Sequence, residues 1–454
     1  MKCHDISIVN FFLHREPSTK PFACIPMGTL YLTSALEAAG YSVDFHDYQV
    51  EFEENPYHPI NILNFLKCTS ADILGISCMS NMLPFLLQGL RNFKRHKPGI
   101  FIVLGGSGPG GTAKEILQSF PEIDAVVRGE GEETIVEILE AHRGHRKLES
   151  IAGLTFRSNN GIVVNPPRAR KMDIDTIPLP AYHKLNMEKY INSSILTSRG
   201  CPYQCLFCDI SPNWDKKIAQ RSIESVIKEI LFLINNYGRN KFSILDDTFI
   251  LNRGRVLRFC AEIIERKLSI EWSCMCRIDL LDDDLMAFMQ QAGCKKIFLG
   301  IESGSSRIRN KAGKGFKIDN VELLIGKAAK YFEVAASFIL GFPFETIDEF
   351  RETIYLIIYC LERGVKPQMS ILSPLPQSEL NTSGLYKKEF DPDILLVDFD
   401  HYKKKSERMS KSVLTPDIQE MIKSNPKIFS AFYHYKTGMI REKLELVKKY
   451  GLPL

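Results

Sequence analysis

The chain lacks both long hydrophobic runs and an excess of charge of one sign. No stretch of about 18 uninterrupted apolar residues occurs, which argues against a transmembrane helix. The 58 Lys and Arg residues are nearly balanced by 54 Asp and Glu residues, so the net charge of +4 gives no argument for nucleic-acid binding. We therefore expect neither a membrane nor a nucleic acid among the partners of this protein.

An export signal is also missing. A short apolar run near the start is broken by His14, Arg15 and Glu16, and no small-residue cleavage site follows it. The composition, 44% hydrophobic and 25% charged, is that of a globular protein with two or three domains, which excludes disordered and collagen-like chains. Twelve cysteines without an export signal predict a cytoplasmic protein with reduced thiols, some of them metal ligands.

Residues 1–147 are predicted to form a doubly wound α/β domain of the flavodoxin or Rossmann type. Short runs rich in Ile, Val and Phe alternate there with helical segments, and such alternation predicts a parallel sheet covered on both faces. Ligands of this fold bind outside the carboxyl ends of the strands. The five runs are residues 6–12, 41–45, 72–77, 100–104 and 124–127.

Two loops at those carboxyl ends carry a distinctive pattern. Residues 77–79 (Ser-Cys-Met) follow the third strand, and a glycine-rich turn, residues 105–111, follows the fourth. Such a turn admits a bulky ligand close to the backbone, although ordinary strand-to-helix turns explain the glycines equally well. The pattern resembles the cobalamin-binding domain, which implies that cobalamin is a cofactor. The resemblance assigns its contacts to Ser77, Met79, Gly105, Gly106 and Ser107.

The loop that often supplies a histidine to cobalt in that domain has no counterpart here. Its pattern is Asp-x-His-x-x-Gly after the first strand, whereas Asp44-Phe45-His46 ends the second strand and Gln49 stands in the place of the glycine. The loop after the first strand, residues 24–28, contains no histidine. We therefore expect any bound cobalamin to lack a protein histidine below cobalt.

Residues 148–190 are predicted to link two domains. Asn159-Asn160-Gly161 lies between two short apolar segments and predicts a small hairpin. Several prolines then indicate an irregular connector to about residue 190.

A three-cysteine motif opens the second half of the chain. Cys201, Cys205 and Cys208 have the spacing Cys-x3-Cys-x2-Cys directly after a strand-like segment. Three thiolates on one loop can each bind one iron of a 4Fe–4S cluster and leave the fourth iron open. Structural zinc needs four closed ligands, and the next cysteine is Cys260. A zinc site completed from elsewhere, or three free thiols, is the alternative.

The cysteine motif and the segments after it resemble the radical S-adenosylmethionine (radical SAM) superfamily. Four later segments follow in that superfamily's order, and in the last of them Gln377 replaces the usual glycine; they are residues 244–249, 298–304, 338–346 and 373–378. The resemblance implies a 4Fe–4S cluster on the three cysteines. It assigns SAM contacts to Phe207, Asp246 or Asp247, Arg277, Glu302, Ser303 and Gly341. For Arg277, a structural ion pair is the equal alternative.

Strand-like and helical stretches alternate through residues 191–388, and six such units predict a partial (β/α)6 barrel with its chemistry at the strand carboxyl ends. Cys274, Cys276 and Cys294 lie within it and suggest a second cluster, although scattered cysteines are more often core residues. Residues 389–454 are predicted to form a charged, helical extension. Its basic and aromatic residues, as in 402–405 and 429–448, either cover the barrel or meet a phosphorylated substrate or an RNA strand.

The combined resemblance implies an enzyme. SAM would bind the open iron and be cleaved to methionine and a 5′-deoxyadenosyl radical, with an electron from a donor such as flavodoxin or ferredoxin. With cobalamin, C-methylation of a small molecule or peptide is the favoured outcome. A lyase, dehydratase, epimerase or rearrangement enzyme with a scaffolding or differently used first domain is the alternative, and a non-catalytic iron–sulfur or zinc protein is the third reading. No residue is assigned as a general acid or base.

Overall fold

The computed structural model describes residues 4–13, 23–52, 55–316, 320–394 and 413–452. The chain divides into two compact units. The first contains residues up to 171, with residues 176–191 and 395–433; the second contains residues 172–175, 192–394 and 434–454. The predicted extension after residue 389 is therefore shared between the units, and its segment 402–405 lies outside the described residues.

A seven-stranded sheet forms the centre of the first unit. Its strands are β1 (Ile6–Phe11), β2 (Val43–Asp47), β3 (Ile73–Cys78), β4 (Phe101–Gly105), β5 (Ala125–Val127), β6 (Leu154–Ser158) and β7 (Gly161–Val164). Their order is β2-β1-β3-β4-β5-β6-β7, and β1 to β5 are parallel. This is the flavodoxin order for the first five strands, and it confirms the predicted doubly wound fold.

The hairpin of β6 and β7 extends this sheet. The sequence placed it in a linker, but β6 pairs with β5 in antiparallel register. This pairing buries apolar surface, because Leu154 and Phe156 lie on the same face of β6 and are buried in the core of the first unit. The core strands of this unit thus continue beyond residue 147, and the irregular connector begins after β7.

Helices cover the sheet of the first unit. Apolar residues of the helices 27–38 and 132–142 pack with those of the sheet, which explains the burial of Leu36, Ile135 and Ile138. The helices are α1 (Met27–Ala38), α2 (Tyr48–Glu51), α3 (Pro59–Lys67), α4 (Leu83–His96), α5 (Ser107–Gly110), α6 (Ala113–Ser119) and α7 (Glu132–His142).

Six parallel strands form the main sheet of the second unit. The strands of this unit are β8 (Ser193–Ile195), β9 (Ser198–Arg199), β10 (Ala219–Gln220), β11 (Lys241–Ile244), β12 (Glu271–Cys276), β13 (Cys294–Glu302), β14 (Glu333–Leu340), β15 (Lys366–Ile371), β16 (Lys388–Glu389) and β17 (His434–Tyr435). The order β15-β14-β13-β12-β11-β8 leaves β15 and β8 as edges, which confirms the predicted open barrel.

Helices alternate with the barrel strands. Ser222 caps the helix 223–237, and a reciprocal capping box of Thr346 and Glu349 begins the helix 347–362. The remaining helices are α8 (Ile210–Asn213), α9 (Ile223–Tyr237), α10 (Arg253–Glu265), α11 (Asp283–Gln291), α12 (Ser306–Lys311), α13 (Val321–Tyr331), α14 (Ile347–Glu362), α15 (Glu379–Thr382), α16 (Pro416–Ser424) and α17 (Ile440–Lys449). Within the described ranges, no helix is long and apolar enough to cross a membrane.

Buried residues of β12 explain the three cysteines beyond the motif. Trp272 stacks edge-on against Phe249 and Phe259, so this face of β12 points to the helical layer. Cys274 and Cys276 share that face with their Sγ atoms 3.5 Å apart. Cys294 is also fully buried. All three cysteines lie in the core.

Candidate active site

The three motif cysteines lie on the loop between β9 and α8. All are partly buried, and none forms a disulfide. Burial raises the pKa of the Cys208 thiol to about 12, although the amide of Ile210 donates to its sulfur at 3.4 Å. Burial also raises the pKa of Cys205, against the opposing charges of Lys314 and Arg277. The thiols of Cys205 and Cys208 are therefore expected to lose their protons more easily when a metal binds them.

The residues present fit a cluster better than a zinc site. In the part of the chain that the structure describes, no three His, Cys, Asp or Glu side chains are close enough to hold one metal ion. Zinc requires its ligands around a single atom, whereas each thiolate of a 4Fe–4S cluster binds a different iron. The three-cysteine loop meets the second requirement, because Cys201 and Cys205 are close enough to Cys208, and Cys201 to Cys205, to shift the pKa of those thiols.

Asp246 anchors the chain just before the cysteine loop. Its carboxylate accepts hydrogen bonds from the amide of Thr197 at 2.7 Å, from Thr197 Oγ1 at 2.5 Å and from Ser198 Oγ at 2.6 Å. Asp246 is 1% exposed, so its carboxylate is directed into the protein. Asp247 is only partly buried, and its Oδ2 accepts a hydrogen bond from the amide of Gly200 at 3.2 Å. The two carboxylates therefore have different environments.

Glu302 ends β13 in a strained conformation beside the cysteine loop. Its φ of 71° lies in the left-handed region, which is unfavourable for a glutamate. Its Oε1 is 2.9 Å from Lys314 Nζ, and its Oε2 accepts a hydrogen bond from Ser337 Oγ at 3.3 Å. The charge of Glu302 raises the pKa of the Cys205 thiol, and the charge of Lys314 lowers it. Strain of this kind persists where surrounding contacts enforce it, commonly at functional sites.

Lys314 is a candidate residue that the sequence analysis missed. It lies on the loop after α12, where the carbonyl of Ala312 accepts a hydrogen bond from the amide of Leu206 at 2.9 Å. This contact holds the Lys314 loop against the cysteine loop. The available signal was the glycines on either side of Lys314, at positions 313 and 315, which mark a tight turn nine residues after the end of the superfamily-like segment 298–304.

Arg277 supports the cysteine loop from a structural ion pair. Its guanidinium donates to both carboxylate oxygens of Asp279 at 3.0 Å and to the carbonyl of Lys314 at 2.7 Å. It also lies 3.7 Å from the ring centre of Tyr203, between the first two motif cysteines. Of the two roles considered for Arg277, the structure shows the ion pair.

Aromatic residues connect the cysteine loop to the end of β14. The rings of Phe207 and Phe342 lie edge to face with their centres 5.8 Å apart. Gly341 and Ser303 stand in the neighbouring segments, and Ser303 is fully buried. Gln377, the departure from the superfamily pattern, donates a hydrogen bond to Asn213 on α8. Phe207, Ser303 and Gly341 are thus brought to the same end of the barrel.

The first unit presents an open edge at the carboxyl ends of β3 and β4. A Cβ atom at Gly106 would lie 2.8 Å from the Cys78 carbonyl oxygen and 2.9 Å from Ser77 Oγ, and its φ of 92° also favours glycine. The two loops therefore approach each other through backbone. Met79, Gly106 and Ser107 are exposed on this edge, as a cradle for a flat ligand requires.

His46 is engaged by two carboxylates. Its Nε2 lies 3.1 Å from Asp44 Oδ1, and its Nδ1 lies 2.8 Å from Glu51 Oε2. Burial alone would lower its pKa, but hydrogen bonds and charge from Asp44 and Glu51 raise it to about 9. The ring is therefore expected to be protonated at neutral pH and held between these two carboxylates.

Replacing His46 by glutamine is expected to destabilise the first unit in a pH-dependent way. Because the folded pKa is about 9 and the unfolded value 6.5, protonated His46 contributes roughly 3 kcal/mol below pH 6.5, which is lost as the pH rises through 9. Denaturant unfolding of both proteins at pH 6 and pH 10 measures this. Glutamine at the exposed His96 is the control, and a pH-independent difference for His46→Gln would contradict the assignment.

A buried polar network at the end of β2 holds Cys24 in place. Asp47 accepts hydrogen bonds from Asn10 Nδ2 at 2.8 Å and Tyr190 Oη at 2.7 Å, and burial raises its pKa to about 6. Gln49 exchanges hydrogen bonds with the backbone of Cys24, at 2.9 Å and 3.2 Å. Gln49, which stands in place of the expected glycine, thus holds Cys24 just before α1.

Two family models match the chain. The B12 binding domain covers residues 19–139, and the radical SAM superfamily covers residues 195–357. The chain is a radical SAM protein with a B12-binding domain. These domains imply a 4Fe–4S cluster, SAM and cobalamin as cofactors, which confirms the predicted family and cofactors.

Relatives of the chain are named for different activities. The chain is 35% identical over 305 residues to an uncharacterized methyltransferase of Pyrococcus horikoshii, and this match covers 65% of each protein. It is 26% identical over 436 residues to the anaerobic magnesium-protoporphyrin IX monomethyl ester cyclase of Cereibacter sphaeroides, covering 90% of this chain and 68% of the cyclase.

A solved structure shares the fold. The radical SAM methyltransferase TsrM of Kitasatospora setae, solved with tryptophan and a SAM analogue, superposes with a TM-score of 0.68. The match covers 85% of this chain and 78% of TsrM at 18% identity. At this identity the likeness concerns the fold. It agrees with a doubly wound unit followed by an open barrel.

Proposed function

We propose that this protein is a cobalamin-dependent radical SAM methyltransferase that methylates a carbon atom of a small molecule or peptide. The observation that carries the proposal is one chain with both a three-cysteine loop at the carboxyl end of an open barrel and a glycine cradle in a B12-binding domain. The cluster supplies the electron that cleaves SAM, and cobalamin supplies methyl-transfer chemistry. The methyltransferase relative supports this choice.

The residues of the barrel have distinct proposed tasks. Cys201, Cys205 and Cys208 hold three irons and leave the fourth for SAM. Asp247 is the carboxylate for the SAM amine, because Asp246 is occupied inside the protein. Four residues are proposed to surround the rest of SAM: Phe207, Glu302, Lys314 and Gly341.

Arg277, Asp246 and Ser303 have supporting tasks in this proposal. Each is committed to other protein groups, through Asp279, Thr197 and Glu345 respectively. Lys314 takes the place of Arg277 as the cation proposed for the SAM carboxylate. Its ion pair is with Glu302, which is itself proposed to contact SAM, whereas the Arg277 guanidinium is held by Asp279, the Lys314 carbonyl and the Tyr203 ring. A reduced flavodoxin or ferredoxin is the proposed electron donor, and the cytoplasmic location stays a prediction.

A radical cyclisation or rearrangement is the second candidate. The match to the anaerobic cyclase extends over 90% of this chain, so both domains are shared with a protein named for ring formation. The two candidates differ in the fate of SAM. A methyltransferase consumes SAM as a methyl donor and forms S-adenosylhomocysteine, whereas the second candidate forms only 5′-deoxyadenosine.

Methyl donation can be tested without knowing the substrate. Reconstituted protein with bound cobalamin is reduced with dithionite and given SAM, and both adenosyl products are quantified. We expect 5′-deoxyadenosine together with about one equivalent of S-adenosylhomocysteine per bound corrin in the first turnover. The 5′-deoxyadenosine product alone would favour the second candidate. Neither product would indicate a non-catalytic metal protein.

Replacing Gly106 by alanine is expected to lower cobalamin retention at least about 10-fold while iron content stays unchanged. The added Cβ meets backbone atoms at 2.8–3.0 Å and imposes an unfavourable φ, so the two loops must separate. Gly110→Ala is the matched control, because its Cβ would have nothing within 4 Å. Corrin absorbance after desalting gives the result, and equal retention in the two variants would argue against this cradle.

A further inference from the structure

The helix α17 places a lysine inside the second unit. Lys443 Nζ lies 2.7 Å from Glu345 Oε2, and both side chains are 0% exposed. Glu345 belongs to the segment after β14 that contains Gly341. The C-terminal helix thus contributes a charge to the interior of the barrel domain, close to the segment proposed to contact SAM.

Glu345 also contacts Ser303, the residue that follows β13. Its Oε1 accepts a hydrogen bond from Ser303 Oγ at 3.3 Å, and Ser303 Oγ lies 3.1 Å from Thr353 Oγ1. Ser303 directly follows Glu302, whose φ of 71° must be enforced by its surroundings. The contacts from Lys443 through Glu345 to Ser303 therefore end next to Glu302, the strained residue beside the cysteine loop.

Backbone packing joins the same two segments. A Cβ at Gly438 would lie 2.6 Å from the carbonyl oxygen of Gly341, and one at Gly341 would lie 3.2 Å from Ile440 Cγ1. Tyr435 packs in one hydrophobic cluster with Phe342, and Phe207 lies against that cluster. The C-terminal segment is therefore built into the end of the barrel that carries the cysteine loop.

Stability alone is a weak reason for such a pair. Removing two charges from water costs free energy that their attraction often fails to recover, so an apolar pair of similar volume is commonly as stable. The pair does fix the orientation of the Glu345 carboxylate, because one of its oxygens faces Lys443 and the other faces Ser303.

We propose that Lys443 is a positioning residue for SAM, which holds Glu345 and Ser303 so that Glu302 and Gly341 keep the geometry of the SAM-binding end. This inference rests on the proposed radical SAM function. It assigns the C-terminal helix to the SAM site instead of to substrate binding. Lys443 itself touches neither the cysteines nor SAM in this account.

The test measures SAM affinity by the change that SAM causes in the EPR spectrum of the reduced cluster. We expect the apparent Kd of Lys443→Met to rise about 10-fold with full iron content, and that of Lys443→Arg to rise by no more than about threefold. Lys448→Met removes the same charge from an exposed position of the same helix and is expected to bind like wild type. Wild-type affinity in Lys443→Met would overturn the inference.

A double variant separates positioning from folding. Glu345→Gln with Lys443→Met removes the uncompensated charge, so it is expected to fold even where Lys443→Met alone does not. SAM binding that stays about 10-fold weaker in this variant supports positioning, and full recovery overturns it. A wild-type cluster that gives no EPR response to SAM would instead refute the proposed function, and this inference with it.

Discussion

Replacing Cys205 by alanine is expected to lower the formation of 5′-deoxyadenosine from SAM by about three orders of magnitude. The Cys205 thiol lies 3.9 Å from the carbonyl oxygen of Gly313, next to Lys314, and burial raises its pKa. Without its thiolate, one iron of the cluster loses its protein ligand. Iron content and 5′-deoxyadenosine are measured after anaerobic reconstitution and dithionite reduction.

Cys276→Ala is the matched control for this prediction. Cys276 is buried on the face of β12 that points to the helical layer, so its loss removes a small core side chain and no iron ligand. We expect this variant to keep its iron and its SAM cleavage. If Cys205→Ala kept both while Cys276→Ala lost them, the cluster assignment would be wrong.

Replacing Asp246 by alanine is expected to destabilise the second unit by about 3 kcal/mol, because it leaves several buried donors without an acceptor. These donors are the amide and hydroxyl of Thr197 and the hydroxyl of Ser198. They precede the cysteine loop, so we also expect poor cluster retention. Denaturant unfolding and iron content provide the measurements, and Asp246→Asn serves if the alanine variant does not fold.

The comparison with Asp247→Asn distinguishes the two neighbouring carboxylates. Asp247 is partly buried, and asparagine keeps an oxygen that can accept the hydrogen bond from Gly200, so this replacement is expected to cost less stability than Asp246→Ala. We expect SAM to bind this variant about 10-fold more weakly, measured by EPR titration of the reduced cluster. If Asp247→Asn bound SAM normally and Asp246→Asn did not, the roles of the two residues would be reversed.

The sequence was sufficient for the two fold classes and for the cysteine loop. Parallel pairing follows from apolar strands that alternate with helices, because parallel strands need crossover connections, which are usually helical. The hairpin of β6 and β7 was assigned to a linker, since the pairing of β6 with β5 depends on a tertiary contact that local residues do not encode. The hydrophobic pattern of the sequence therefore predicts where strands occur better than it predicts which strands pair.

The role of a residue in the site depends on where its side chain points as well as on its position in the sequence. Asp246 and Asp247 are adjacent in sequence, yet one faces Thr197 inside the protein and the other lies partly exposed. For Arg277, the sequence left a SAM contact and a structural ion pair equally open, and the ion pair with Asp279 is evident only in the structure. Lys443 lies 98 residues from Glu345 along the chain, so no local pattern connects them. Such long-range pairs require coordinates.

The most direct test of the account is the corrin and iron content of the wild-type protein, expressed anaerobically with cobalamin, reconstituted and desalted. The account predicts about one corrin and about four irons per chain, with both 5′-deoxyadenosine and S-adenosylhomocysteine formed from SAM. An intact cluster that cleaves SAM without any bound corrin would contradict it. That result would leave a radical enzyme whose first unit serves the fold or the substrate.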